Sequence, residues 1–171
     1  MSKNKQQQFL KLYRDCHDPF VKYCSALAYG KIEVEDLIQD VLFSAYKHFD
    51  NIDAPEKLLH YLIRAAKNRS ISHWRKHKNK TELIDKHEHN LISKEISIEK
   101  ILDIQYLYTQ LNLLPDKQRD ALILFEISGF SMKEIAIIQN STEGAIKTKI
   151  SRGRKRLKVL LNTESLNYKT Q

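Results

Sequence analysis

The chain has 171 residues, which is enough for one ordinary domain or two small ones. A hydrophobic fraction of 42% excludes a largely disordered chain, and a total of only four glycines and three prolines favours long helices over many short strands. The net charge of +8 predicts an acidic partner, either nucleic acid or an anionic membrane surface.

The N-terminus and the cysteines exclude several other classes of protein. Residues 1–8 are polar and lack the apolar core of a signal peptide. No apolar run approaches the ~20 residues of a membrane span, so we expect a cytoplasmic protein that is not itself embedded in a membrane. Cys16 and Cys24 lack the spacing of metal ligands, so we expect two reduced, partly buried thiols and neither a metal nor a cofactor.

The N-terminal part of the chain predicts helices throughout. Residues 9–28 carry apolar side chains at helical spacing, with Pro19 opening a new helix after Asp18. Residues 34–49 predict a second strong helix, and residues 58–76 predict a third.

A polar segment separates these helices from the rest of the chain. Residues 77–94 are rich in Lys, His, Asn and Glu and contain few large apolar side chains, which predicts a linker that can be partly helical. We therefore expect an all-α protein of two small helical domains, residues 1–76 and residues 96–171, joined by a polar linker over residues 77–95.

The C-terminal part predicts a helix-turn-helix. A helical pattern over residues 96–113 is followed by a helix that Pro115 opens and Gly129 ends. Ser131 and Glu134 then have the spacing of a capping box at the start of a short helix. Residues 140–142 form a turn whose threonine can cap the next helix, and two short helices joined by so brief a turn are typical of DNA-binding regulators.

The helix after this turn has one apolar side and one strongly basic side. The apolar stripe, which we expect to face the core, consists of Ile146, Ile150, Gly153, Leu157 and Leu160. The opposite side carries Lys147, Thr148, Ser151, Arg152 and Lys155. No acidic residue occurs between positions 147 and 158, so the like charges repel one another unless a polyanion is bound. The pattern predicts a recognition helix in a major groove, and a solvated basic face is the alternative.

Two N-terminal helices also have faces that indicate binding. In the helix over residues 34–49, Phe43 lies among acidic and amide side chains, which indicates a protein-binding surface unless Phe43 packs under a neighbouring loop. In the helix over residues 58–76, the polar side combines basic, amide and aromatic side chains: Tyr61, Arg64, Lys67, Asn68, Ser72 and Arg75. Amides can read base edges, and aromatic rings can stack on unpaired bases.

Together these segments resemble the bacterial sigma factors of the extracytoplasmic-function group, within the sigma-70 family. The family's second conserved region is matched by residues 34–41 and 61–69. Its fourth region is matched by residues 114–119, 129–136 and 142–147. Both sets occur in the family's order and spacing, and the resemblance extends over nearly the whole chain.

The resemblance implies a factor that directs core RNA polymerase to promoter DNA and initiates transcription. In the family, the second helix docks on the polymerase clamp; its matching residues here are Asp36, Leu37, Gln39 and Asp40, and Phe43 lies on the same acidic face. The third helix binds the −10 element and captures an unstacked base, a role we assign to Tyr61, Arg64, Lys67, Asn68 and Arg75. The recognition helix reads the −35 element through Lys147, Thr148, Ser151, Arg152 and Lys155. The family also implies an anti-sigma factor as a further partner.

Two other functions compete with this interpretation. A helix-turn-helix repressor or activator would bind an operator as a dimer and would not need the acidic face around Phe43. A metal-dependent nuclease would need carboxylates grouped around His77, His87 and His89, and the linker offers no such grouping. We therefore expect no catalytic residues and no small-molecule substrate, and DNA melting by base capture, since the chain lacks a phosphate-binding loop.

Overall fold

A computed structural model describes residues 2–52, 54–77 and 97–167. Within these ranges the chain is helical and contains no strand, in agreement with the predicted all-α class. Most of the predicted linker lies outside the described residues, and His77 ends the helix before it. In the part of the chain that is described, no helix is both long enough and apolar enough to cross a bilayer.

The N-terminal unit is built from three helices. They are α1 (Ser2–Ala28), α2 (Val34–Lys47) and α3 (Pro55–His77), with a 3₁₀ turn at Phe49–Asn51 between the last two. Helix α1 packs along α3 and also contacts α2, which in turn packs on α3. The largest fully buried side chains in this unit are Phe20, Tyr23, Leu37, Val41, Leu58, Leu62 and Ile63.

Helix α1 runs unbroken through Pro19, so the prediction of a new helix at this proline is wrong. Proline has no amide hydrogen and leaves one helical hydrogen bond unmade. The apolar face nevertheless continues on both sides of it, because Cys16, Phe20 and Tyr23 are all buried in one core. Burial of this shared face offsets the lost hydrogen bond and keeps the segment helical.

Both cysteines are free and buried in α1. Burial raises the pKa of Cys16 to about 11 and the pKa of Cys24 to about 12. Because the reactive form of a cysteine is the thiolate, both side chains act as small apolar core residues at neutral pH.

The C-terminal unit contains four helices. They are α4 (Ile98–Asn112), α5 (Asp116–Leu122), α6 (Met132–Ile138) and α7 (Glu143–Asn167). A π-helical turn, Ile123–Ile127, extends α5 and is closed by a hydrogen bond of 3.0 Å from Ser128 N to Ile123 O. The chain then turns at Gly129, whose φ of +79° is strained for any residue with a side chain.

The two units pack against each other. The π-helical turn lies on α1, and α6 lies on α3. At the edge of this contact the rings of Tyr29 and Tyr108 stack with centroids 4.9 Å apart, and Asn112 Nδ2 donates to Tyr29 O at 3.3 Å. The described parts of the chain thus form one closed arrangement, in which each unit covers part of the surface of the other.

Candidate nucleic-acid and polymerase interfaces

Hydrogen bonds at the helix ends build the predicted helix-turn-helix from α6 and α7. Glu134 N donates to Ser131 Oγ at 3.2 Å, and Ser131 N donates to a Glu134 carboxylate oxygen at 2.8 Å, which confirms the capping box. Asn140 has a φ of +49°, a left-handed conformation that asparagine tolerates. Ala145 N then donates to Thr142 Oγ1 at 3.2 Å, so Thr142 caps α7 as its sequence position predicts.

Core packing fixes the rotation of α7 about its axis. Ile146 and Ile150 are fully buried. At Gly153 an added Cβ would lie 2.9 Å from Leu122 Cδ1, so glycine allows α7 to lie directly against α5. The opposite face of α7 must then point away from the protein.

That opposite face is the predicted recognition surface, and all of its members are exposed: Lys147, Thr148, Ser151, Arg152 and Lys155. Thr148 Oγ1 donates to Gly144 O at 3.0 Å, which orients its hydroxyl along the helix. Among the residues that the structure describes, no carboxylate pairs with the three cations of this face. Hereafter this set of five residues is called the α7 face.

Two cations of the same basic run lie off the α7 face and have partners within the protein. Arg154 Nε donates to Glu126 Oε1 at 2.6 Å, and the guanidinium lies 5.5 Å from the centre of the Phe125 ring. Lys149 Nζ donates to Gln139 Oε1 at 2.8 Å. Composition alone does not distinguish these cations from those of the α7 face, although their positions on the helical wheel do.

A cleft of about 860 Å³ opens between α2 and α3. Its walls include Asp40, Ser44, His48, Tyr61, Asn68 and, from the C-terminal unit, Ile137. The Tyr61 hydroxyl lies 3.0 Å from Ser44 Oγ and 3.3 Å from His48 Nδ1, so its ring is held in place against the wall. Sequence reasoning did not identify Ser44 or His48, because both are contributed by α2 and its cap rather than by the α3 pattern.

The structure brings only some of the predicted −10 residues to this cleft. Tyr61, Arg64 and Asn68 line it. Lys67 instead lies in a second depression together with Lys117 and Lys149, and Arg75 is exposed near the end of α3 without lining either.

Arg64 and Lys67 are both bonded to the C-terminal unit. Arg64 Nε donates to Ile138 O at 2.9 Å, and its Nη2 donates to Ile137 O at 2.8 Å. Lys67 Nζ donates to Asp120 Oδ2 at 2.7 Å. Burial lowers the pKa of His60, which lines the same cleft, and the nearby Arg64 guanidinium lowers it further.

The predicted polymerase-binding face of α2 is largely exposed. Asp36, Gln39 and Asp40 point outward, and Phe43 is 61% exposed with Lys47 Nζ lying 4.2 Å from the centre of its ring. Phe43 therefore does not pack under a loop. Leu37, which the family pattern places in this set, is only 1% exposed and packs in the core, so we leave it out of the candidate surface. Asp36, Gln39, Asp40 and Phe43 are hereafter called the α2 face.

Comparison with known proteins identifies the family. A family model described as "Sigma-70 region 2" matches residues 12–80, and one described as "Sigma-70, region 4" matches residues 104–157. The chain is 30% identical over 127 residues to the ECF RNA polymerase sigma factor EcfG of Rhodopseudomonas palustris, an alignment that covers 74% of this chain and 70% of that protein. The chain belongs to the extracytoplasmic-function sigma factors of the sigma-70 family. It directs core RNA polymerase to promoters through recognition of −10 and −35 elements.

Other relatives match this sigma factor along nearly its whole length. The ECF RNA polymerase sigma factor SigM of Bacillus subtilis is 29% identical over 154 residues, covering 89% of this chain and 94% of that protein. The solved sigma factor RpoE of Bartonella quintana, in complex with the anti-sigma factor NepR, has a TM-score of 0.68 at 27% identity and covers 94% of this chain and 98% of its own. The structure of CnrH, solved with the cytosolic domain of CnrY, shares the fold with a TM-score of 0.68 at 21% identity and coverages of 92% and 90%.

Proposed function

We propose that this sigma factor reads its promoter with two separate surfaces: the α7 face binds the −35 element, and the cleft between α2 and α3 binds the unstacked strand of the −10 element. The observation that carries the proposal is the α7 face itself, where hydroxyls and cations project from a helix whose other side is fixed in the core. Such a helix can enter a major groove with its first turns at base edges and its later cations at phosphates.

The proposed role of the cleft is supported by its size and chemistry. Its walls offer the amide of Asn68 and the ring of Tyr61 beside the guanidinium of Arg64. An amide can bond the edge of an extruded base, an aromatic ring can stack on it, and a cation can bind the neighbouring phosphate. Base capture of this kind favours strand separation without ATP.

We assign polymerase binding to the α2 face. An exposed aromatic side chain surrounded by carboxylates is suited to a protein partner, because an aromatic ring gives a large contact area and like charge disfavours DNA there. Asp40 is also held by Arg69, whose Nε lies 3.3 Å from Asp40 Oδ2. This ion pair connects the α2 face to the cleft-bearing helix α3.

The remaining parts of the proposal follow from the family. We propose that the protein is a non-catalytic subunit and works in the cytoplasm, where core polymerase transcribes. We also propose an anti-sigma factor as its regulator, since the similar sigma factor from Bartonella quintana was solved in complex with one.

Run-off transcription tests the proposed function. The protein would be mixed with core polymerase lacking any other sigma factor, over fragmented DNA from its own genome, and the transcript ends would be sequenced. We expect discrete starts that share two upstream elements. Absence of specific starts, with DNA binding still measurable without polymerase, would contradict the proposal and favour a repressor or activator.

The α2 face is tested by a matched pair of variants. Phe43→Ala should weaken binding to core polymerase by roughly tenfold, because exposed aromatic anchors commonly contribute that much to an interface. Leu102→Ala is the control, since Leu102 on α4 is similarly exposed, at 58%, but lies outside the α2 face. Equal binding by both variants would show that Phe43 is not a polymerase contact.

A further inference from the structure

Asp120 of α5 is the centre of a polar cluster between the two units. Its side chain is only 5% exposed. Tyr23 Oη of α1 donates to Asp120 Oδ1 at 2.6 Å, while Lys67 Nζ of α3 and Gln139 Nε2 both donate to Oδ2, at 2.7 and 2.8 Å. Two of the three donors therefore come from the N-terminal unit.

One lysine, Lys67, contacts the Asp120 carboxylate, and two more lie beside Lys67. Lys67, Lys117 and Lys149 line one depression, and Lys149 reaches Asp120 through the Gln139 amide. Burial lowers the pKa of Lys149, the charges of Lys117 and Lys67 lower it further, and Asp120 opposes that effect. The Asp120 carboxylate thus offsets repulsion among cations that belong to both units.

Tyr23 stays protonated and donates a hydrogen bond in this cluster. Burial, together with the adjacent Asp120 carboxylate, raises the pKa of Tyr23 well above its ordinary value of 10. The phenol therefore keeps its proton at any ordinary pH. Removing the charge of Asp120 would leave its donors without an ionic acceptor in a nearly dry site, and broken buried pairs are costly.

A second contact lies one helical turn away on the same face of α3. Arg64 binds the carbonyls of Ile137 and Ile138, the last two residues of α6. A cation at the C-terminal end of a helix is favoured there, because the carbonyls at that end carry partial negative charge. Arg64 and Lys67, two cations that we assign to −10 binding, are thus both occupied by the C-terminal unit.

We propose that Asp120 stands in for a DNA phosphate and holds the sigma factor in a closed state that masks part of its own −10 surface. This inference rests on the proposed −10 role of α3. In the closed state Lys67 is bound to the Asp120 carboxylate, and Ile137 of α6 occupies one edge of the cleft. Binding to the −10 strand requires the units to separate, and phosphates then replace the carboxylate and carbonyls as partners of Lys67 and Arg64.

The first test measures closure without DNA or polymerase. Asp120→Asn keeps the size of the side chain and leaves one oxygen that can still accept from Tyr23. It removes the charge and puts an amide NH₂ group in place of Oδ2, the acceptor of Lys67 and Gln139. Small-angle X-ray scattering of the full chain should show an upward shift in the radius of gyration. Asp103→Asn is the control, because Asp103 lies on α4 in the same unit, is exposed, and makes no ion pair within the described ranges. An unchanged radius for Asp120→Asn would overturn the proposal.

The second test measures masking. Binding of a fluorescein-labelled single strand carrying the −10 segment found by run-off transcription should be roughly three- to tenfold tighter for Asp120→Asn than for the unmodified protein, since affinity scales with the populated open fraction. The Asp103→Asn variant should bind as the unmodified protein does. Expansion without tighter binding would overturn the masking role of Asp120.

Two further variants separate the possible causes of failure. Tyr23→Phe removes one donor from the N-terminal unit and leaves the C-terminal unit unaltered. We expect smaller increases in the radius of gyration and in strand affinity than Asp120→Asn gives. Such increases would exclude misfolding around Asp120 as the cause of the effects of Asp120→Asn. Adding Asn68→Ala to Asp120→Asn should cancel the gain in strand binding. If the double variant still bound the strand more tightly than the unmodified protein, the closed state would be supported, but the assignment of the −10 site to the cleft would be refuted.

Discussion

The α7 face and the polar side of α3 have similar chemistry but different surroundings. Both present cations with short polar side chains between them. On α7, core packing against α5 fixes the helix, and the cations of the face project outward without carboxylate partners among the described residues. On α3, Arg64 and Lys67 are bonded to the C-terminal unit.

This difference shows that a basic helix face is not by itself a ready DNA-binding surface. The geometry of the α7 face is set inside one unit, so it is available whenever that unit is folded. The availability of the α3 face depends on how the two units are arranged. The −35 contact should therefore require no rearrangement, whereas the −10 contact should require separation of the units.

The largest effect is expected from removing cations of the α7 face. Lys147→Ala combined with Arg152→Ala should reduce promoter-specific transcription by roughly 100-fold, because two base or phosphate contacts of ~1–3 kcal/mol each would be lost. Binding to core polymerase should be unaffected, since the α2 face lies in the other unit. Both quantities are measured by run-off transcription and by pull-down with core polymerase.

A charge-matched control makes this result specific. Lys11→Ala combined with Lys22→Ala also removes two exposed cations, but from α1. The control should transcribe nearly normally. If both double variants lost transcription equally, the loss of net charge would be the cause. The α7 face would then have no special role, and its comparison with the polar side of α3 would no longer hold.

Sequence periodicity predicted the features that depend on short stretches of the chain. The capping box at Ser131, the cap at Thr142 and the buried stripe of α7 all follow from spacing within a few residues, and the structure confirms them. The family pattern likewise predicted both regions correctly. Local hydrogen bonds and helical spacing determine these features, so a single sequence suffices.

Features that depend on contacts between distant residues could not be predicted in this way. The bonds from Tyr23 and Lys67 to Asp120 join residues 97 and 53 positions apart. The unbroken path of α1 through Pro19 depends on burial against α2 and α3, which a local proline rule does not include. Packing between elements determined the outcome in both cases.

A smaller effect is expected from the cleft. Asn68→Ala should reduce transcription from duplex promoters by roughly tenfold, because an amide contact to an extruded base contributes on the order of 1–1.5 kcal/mol. The defect should shrink on a template that is pre-melted at the −10 element, where the cost of unstacking is already met. A defect of the same size on both templates would argue for a general structural role of Asn68 and against base capture.

The smallest effect concerns Lys31, which lies at the contact between the units. Burial, together with the charge of Arg119 on α5 and against the partial opposition of Asp116, lowers its pKa from 10.5 to about 8. The folded pKa is below the unfolded one, so the folded protein binds fewer protons than the unfolded chain between these two values. Lys31 therefore lowers stability at neutral pH, and this cost disappears as pH rises from about 8 to about 10.5.

Lys31→Met should therefore raise the free energy of unfolding in urea at about pH 7 and lose most of this advantage at about pH 10. Lys22→Met, which removes an exposed charge from α1, should show neither effect. In an Asp120→Asn background the advantage should also diminish, because separated units no longer hold Arg119 beside Lys31; a full advantage there would mean that the charge of Asp120 does not keep these units together.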